Sequence, residues 1–256
     1  MPNSVAIVTG ASQGIGKSTA LRLARDFSGL ALVARNEEHL QETAQQAKSS
    51  GAESLVLPLD LSEPAAAEKV VNETLQRFGR IDALVNIAGA VPQIDLFVMT
   101  DAQWDDGMAL KFHGARRLTI KAWDALKASK GSVVLLSGLA AWDPKPGFAA
   151  VAATNAAIIA LAKAFAEQGI KDGVQVNSVS PGAVMTGRRQ SFFEKWAPAH
   201  NLTVEEAITK YPEESGIARF GEPEEIADLL AFLVSPAAKW LTGASLRMDG
   251  GEFKGI

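Results

Sequence analysis

Short apolar runs alternate along this chain with longer stretches of mixed polarity. The runs cover residues 5–9, 30–34, 54–59, 83–86, 132–137, 175–179 and 245–248, most of them rich in Val, Leu, Ile and Ala. Runs of this kind predict strands buried on both faces, the habit of a parallel sheet. Stretches of helical length separate them over 17–27, 37–50, 65–78, 102–128, 148–169 and 222–234, and Thr100 with Gln103 marks a capping box at the start of the fourth. The alternation implies an α/β fold: a doubly wound, Rossmann-type parallel sheet of about seven strands with helices on both faces. Residues 185–217 break the rhythm, carrying Arg188, Arg189, Phe192, Phe193, Trp196, His200 and Tyr211 between a strand end and the last helix. An insertion there is expected to form a lid over the carboxyl ends of the strands, where open α/β sheets bind ligands.

With 256 residues and 47% apolar content, the chain suits one core and one domain over 1–256. The net charge of −4 speaks against a nucleic-acid or anionic-membrane surface, since both need a basic patch. A small molecule is the expected partner. The absence of cysteine removes disulfides and thiolate chemistry. His39, His113 and His200 are scattered, so no metal site is expected. No uncharged run reaches the ~18 residues of a membrane span, and the expected location is the cytoplasm.

The run Thr9-Gly10-Ala11-Ser12-Gln13-Gly14-Ile15-Gly16 follows the first strand and opens the first helix. Gly10 permits a sharp turn off the strand, while Gly14 and Gly16 clear side chains from where backbone N–H groups must approach a pyrophosphate. The spacing is Gly-x-x-x-Gly-x-Gly rather than the commoner Gly-x-Gly-x-x-Gly. A dinucleotide-binding domain is the reading this turn supports.

Along almost its whole length the chain resembles the short-chain dehydrogenase/reductase family. The glycine run is similar to that family's nucleotide motif, Leu59-Asp60-Leu61 to its adenine contact, and Asn86-Ile87-Ala88-Gly89 to its Asn-Asn-Ala-Gly motif. Ser180-Pro181-Gly182, the segment from Arg219-Phe220-Gly221 to Glu225-Ile226-Ala227, and Asp249-Gly250-Gly251 continue the resemblance in order. It implies cofactor contacts at Gly10, Ser12, Gln13, Gly14, Ile15, Gly16, Asp60, Leu61, Asn86, Ala88 and Gly89, with Pro181, Gly182 and Thr186 beside a nicotinamide. Asp60 ahead of Ser62 also suits a helix-start turn. Arg35 follows the second strand where an acid would hold the ribose of NAD, and a guanidinium suits a 2′-phosphate. NADP is therefore the expected cofactor, with NAD open because Gln13 adds no second positive charge.

The same resemblance implies a catalytic asparagine, serine, tyrosine and lysine, and here the chain departs from it. Lys111 falls at the asparagine, Gly138 at the serine, Val151 at the tyrosine and Asn155 at the lysine. Valine can neither give nor take the proton that a developing alkoxide needs. One ammonium and one amide are nevertheless kept, exchanged between Lys111 and Asn155. Lys111 suits either a displaced proton donor or a stem lying along a helix flank. Ser137 is expected to point away from the site, His113 to be a satisfied structural histidine, and Tyr211 to pack in a loop. Arg188 and Arg189 suit an anionic or aromatic substrate and equally the solvated top of a lid. Two functions stay open: an oxidoreductase with an atypical site, its candidate catalytic residues Lys111 and Asn155, acting on a carbonyl or alcohol; or a non-catalytic dinucleotide-binding, scaffold or sensor protein. The resemblance also implies a homotetramer or homodimer formed through the helices at 102–128 and 148–169.

Overall fold

The computed structural model describes residues 3–255. Seven strands carry the fold: β1 (Val5–Thr9), β2 (Gly29–Ala34), β3 (Glu53–Pro58), β4 (Ala83–Asn86), β5 (Ser132–Leu136), β6 (Gln175–Pro181) and β7 (Ser245–Met248). They form one parallel sheet in the order β3-β2-β1-β4-β5-β6-β7. The chain first builds outward from β1 to β3, then returns to place β4 beside β1, with Ala6 opposite Ala83.

Helices cover both faces, as expected. The first three are α1 (Gly14–Leu23), α2 (Glu37–Lys48) and α3 (Ala66–Phe78); α4 (Asp101–Met108) and α5 (Ala115–Ser129) follow, then α6 (Ala149–Asp172). The series ends with α7 (Gly187–Ala199), α8 (Val204–Glu214) and α9 (Pro223–Val234). On one face Ala20 and Leu23 of α1, Leu40 of α2, and Ile226 and Leu230 of α9 join Ala6, Val8 and Leu32 of the sheet. On the other, Val70 of α3, Leu118 and Leu126 of α5, and Ile158 and Ala162 of α6 cover Ile7, Leu84 and Val133. Strand residues at alternate positions thus feed two opposite cores, which is why the runs read as continuously apolar.

Several boundaries differ from the sequence reading, each for a local reason. The first helix begins at Gly14 rather than 17, so the glycine run is itself the first helical turn. The stretch expected as one helix over 102–128 is α4 and α5 joined by a π-helical turn over Ala109–Gly114. Its start is the expected capping box, Thr100 N–H donating to Gln103 Oε1 at 2.9 Å. β5 stops at Leu136, and β6 runs on to Pro181 because β7 supports its far edge. The 185–217 insertion holds two capped helices: Thr186 caps α7 and Thr203 caps α8. Phe193, Ala197, Ala207 and Phe220 give this pair a small core of its own.

α6 is long and apolar enough, by length and composition, to cross a bilayer. Here it lies against β5 and β6 through Ile158, Ala162 and Ala166, and leaves Ala153, Ala156 and Ala160 exposed.

Candidate active site

β1 delivers the chain to Gly10 at the carboxyl end of the sheet, where the strand order reverses between β1 and β4, the place where an open α/β sheet leaves a crevice. Gly10 and Gly14 turn with φ of +68° and +52°, angles that L side chains rarely adopt. A Cβ at Gly16 would overlap the Gly10 carbonyl oxygen. The Gly10 N–H donates to Val33 O at 2.8 Å, fastening the turn to β2. Ser12 leads to Gln13, whose side chain makes no capping hydrogen bond, so the amides of Gly14, Ile15 and Gly16 begin α1 without a side-chain partner. Orphan amides at the positive end of a helix, with no Cβ in the way, fit a pyrophosphate.

The adjoining strand ends supply the rest of the crevice. Exposed Arg35, just past β2, stands 3.9 Å from Asp60 Oδ2, just past β3. Asp60 Oδ1 accepts from the Ser62 N–H at 2.9 Å and hydroxyl at 2.7 Å, so this aspartate does form a turn. Burial opposes its ionisation, but those bonds and the Arg35 charge hold its carboxyl below the usual range. The Leu61 side chain is core, 4% exposed. Asn86 ends β4, donating from Nδ2 to Thr119 Oγ1 at 3.2 Å, while its buried Oδ1 has no partner. An orphaned acceptor at the switch point fits a donor from a bound group. Ala88 N–H donates to Thr9 Oγ1 at 3.0 Å and holds the turn before Gly89 against β1. Pro181 closes β6, and a Cβ at Gly182 would sit 2.7 Å from Asp249 Cα. Thr186 accepts from the Arg189 N–H at 3.3 Å as a helix cap, with its methyl group beside Gly14.

Lys111, Asn155 and Gly138 meet beyond the end of β5. Lys111 leaves the π-turn, and its Nζ donates to Asn155 Oδ1 at 2.5 Å and to Ser137 O at 3.0 Å. Asn155 is buried on α6, and Val151 precedes it by one turn. Two glycines make the room: a Cβ on Gly138 would lie 2.7 Å from Asn155 Nδ2, and one on Gly89 would lie 2.9 Å from Lys111 Cδ. Burial, and then the charge of Arg188, bring the Lys111 pKa from 10.5 down to about 7. The Ser137 hydroxyl donates to the Asn155 carbonyl at 2.8 Å and ties α6 to the strand end.

Two expectations need correction. His113 is not a satisfied histidine: it meets Phe112 edge-on, and its buried Nδ1 has no partner. Burial and the neighbouring Arg116 and Arg117 push its pKa down, which suits a neutral ring. Tyr211 lies on α8 rather than in a loop, stacked on Phe220, with the Arg189 guanidinium 5.4 Å from its ring centre.

A family model described as enoyl-(acyl carrier protein) reductase matches residues 10–252. The chain is 30% identical over 250 residues to the 3-oxoacyl-[acyl-carrier-protein] reductase FabG of Staphylococcus aureus, covering 97% of each chain. It belongs to the short-chain dehydrogenase/reductase family. Among solved structures, L-sorbose reductase from Gluconobacter frateurii, complexed with NADPH and L-sorbose, superposes with a TM-score of 0.94 at 28% identity, covering 99% of this chain and 97% of that one. A variant of actinorhodin polyketide ketoreductase with NADPH gives a TM-score of 0.92 at 28% identity, with 97% of both chains covered.

In this short-chain dehydrogenase/reductase several contacts around the site had no sequence signal. Arg188 reaches from α7 to donate to Gly89 O at 3.2 Å and Val91 O at 2.8 Å. Glu252 accepts from the Ala183 N–H at 2.8 Å and from the Tyr211 hydroxyl at 3.1 Å, linking α8 to the chain after β6. Trp142 Nε1 donates to Ser180 Oγ at 3.2 Å. The one usable hint was composition: Tyr211 is the only tyrosine, and a half-buried tyrosine needs a partner for its hydroxyl.

Proposed function

We propose that the chain is an NADP-dependent oxidoreductase that interconverts a carbonyl and an alcohol through an atypical active site, with Lys111 as the proton donor and Asn155 as its positioning residue. The observation that carries this reading is the Lys111 ammonium held at 2.5 Å from Asn155 Oδ1 and 3.0 Å from Ser137 O. An ammonium has three N–H bonds, and two are committed to these acceptors. The third is the proton to be given. After transfer the neutral amine keeps both hydrogen bonds, so no buried acceptor is orphaned by the reaction. A pKa near 7 matches the range in which a general acid both carries its proton and releases it. The relatives bound to NADPH and the position of Arg35 favour NADPH over NADH.

A bound reduced nicotinamide supplies a hydride to the carbonyl carbon. The residues of the chain do the rest. Gly10, Gly14 and Gly16 seat phosphates, Asn86 and Thr186 offer polar groups along the crevice, and Lys111 gives its proton to the oxygen as it becomes an alkoxide. Val151 and Gly138 contribute shape rather than protons. Exposed Ala153, Ala156 and Ala160 on α6, with Ile120 of α5 at 49% exposure, support a homotetramer or homodimer built on these helices.

The test pairs NADPH binding, followed by cofactor fluorescence, with cofactor oxidation over a panel of ketones and aldehydes for wild type and Lys111→Met. Binding by both proteins with turnover only in wild type is the expected result. Binding without turnover on any carbonyl makes the protein the non-catalytic dinucleotide binder; turnover unchanged in Lys111→Met removes Lys111 from the chemistry.

A further inference from the structure

Lys111 and Arg188 converge where α7 meets the turn after β4, and Arg189 adjoins Arg188 on α7. Among the described residues, none of them forms an ion pair with a carboxylate. Some other basic residues are neutralised by carboxylates, among them Arg22 by Asp26 and Asp228, Arg80 by Asp82, and Arg219 by Glu225. The chain has a net charge of −4, so the cluster does not come from an overall excess of base.

Arg188 and Lys111 flank the same residue. The Arg188 guanidinium rests on the Gly89 carbonyl at 3.2 Å, and the position of a Gly89 Cβ is filled by the Lys111 stem, 2.9 Å from Cδ. Two of the five Arg188 N–H donors are committed, to Gly89 O and Val91 O. The others remain for a ligand, in the fork geometry that matches a carboxylate. Carbonyl oxygens orient the guanidinium without neutralising it. Arg189 stands behind, its guanidinium over the Phe192 and Tyr211 rings at 5.9 and 5.4 Å. The like charges act on one another: Arg188 contributes to the lowered pKa of Lys111, and desolvation followed by Arg189 lowers that of Arg188. An anion placed among them relieves that repulsion. Phe192, one helical turn beyond Arg188 on α7, adds an apolar ring on the same face.

Resting on the oxidoreductase reading above, we infer that the substrate is a short oxo acid whose carboxylate pairs with Arg188 while its carbonyl oxygen lies at Lys111. The pairing sets both specificity and register. A carboxylate one to a few bonds from the carbonyl is held by the fork, and the carbonyl is turned toward the third Lys111 N–H. The cofactor's pyrophosphate is the other anion that Arg188 is able to meet, and it is already provided for by the amides of Gly14, Ile15 and Gly16.

The experiment compares phenylpyruvate with phenylacetone, in which a methyl group replaces the carboxylate, for wild type, Arg188→Gln and Arg188→Lys. It reads kcat/KM for each, the dissociation constant of NADPH by fluorescence, and calorimetric binding of phenylpyruvate to the protein saturated with NADP. Wild type is expected to prefer phenylpyruvate, and Arg188→Gln to cut that preference about tenfold or more, mainly through KM, with Arg188→Lys recovering part of it. A preference unchanged in Arg188→Gln overturns the inference. So does an equal loss on both ketones together with weakened NADPH, which assigns Arg188 to the pyrophosphate. Arg188-dependent binding of phenylpyruvate without reduction of either ketone supports the carboxylate site and removes the oxidoreductase reading instead. No detectable binding of phenylpyruvate by wild type ends the proposal even where phenylacetone is reduced.

Discussion

The glycine turn and the Lys111 centre lie at the same end of one sheet, yet they are built from opposite materials. The turn is backbone: Gly10 and Gly14 at positive φ, Gly16 without space for a Cβ, and amides starting a helix. The centre is side chain, with Lys111, Asn155 and the Ser137 carbonyl brought from the π-turn, α6 and the end of β5. A site made of backbone tolerates wide change in the residues around it, because what binds is the amide that every residue carries. A site made of side chains changes character with each substitution. One fold can therefore keep a cofactor crevice while its proton chemistry is rebuilt beside it.

Substitutions break the comparison in order of size. Lys111→Met keeps the apolar stem and removes the ammonium, so carbonyl reduction at slightly acid pH is expected to fall by about 10²–10⁴-fold while NADPH affinity holds. The pH dependence has a definite sign. As the proposed donor Lys111 has to be protonated for reduction, so wild-type reduction is expected to be fastest below its pKa of about 7 and to decline as pH rises through it. Alcohol oxidation needs the neutral amine and rises over the same range. Stopped-flow rates across that range test both limbs, and Lys111→Met should lack them.

Gly16→Ala attacks the other region. Its methyl would collide with the Gly10 carbonyl, and an expected loss of roughly 100-fold in NADPH affinity, about 2.7 kcal/mol, should accompany a lower melting temperature. Equal losses of affinity in Gly16→Ala and Lys111→Met would erase the distinction between the two regions.

Gly138→Ala sharpens it. The new methyl would fall 2.7 Å from Asn155 Nδ2 and displace the amide that accepts from Lys111. A fall of about tenfold in kcat is expected with little change in cofactor binding. Losing an acceptor for the charged form moves the pH limb to lower pH. The smallest effect is at the rim: Arg35→Ala should weaken NADPH by roughly tenfold relative to NADH, because an exposed guanidinium is partly screened. Competition titrations with the two cofactors measure that ratio.

These regions also differ in how far each could be read in advance. Gly10, Gly14 and Gly16 lie within seven residues of one another and follow an apolar strand, so their geometry is local and their spacing announces it. Arg35 and Asp60 mark strand ends for the same reason. The contact of Lys111 with Asn155 spans 44 residues, and helical periodicity alone left Lys111 free to lie along a flank. The π-turn decided otherwise. One extra residue in the helical ladder over Ala109–Gly114 resets the direction in which Lys111 leaves its helix. Tyr211 shows the converse limit, since Pro212 inside α8 and the absence of a long apolar stripe made a capped helix read as a loop.

By itself the sequence determined the alternation of strands and helices, the parallel doubly wound sheet and the glycine turn, because each follows from residues near one another in the chain. Only the tertiary structure decided which polar groups face each other: Lys111 against Asn155 and Ser137, Arg188 across Gly89, and Tyr211 on Glu252. Local pattern sets backbone dihedrals and buried faces, whereas a meeting of side chains depends on how separate helices are docked onto the sheet, and a single π-turn is enough to change which of them meet.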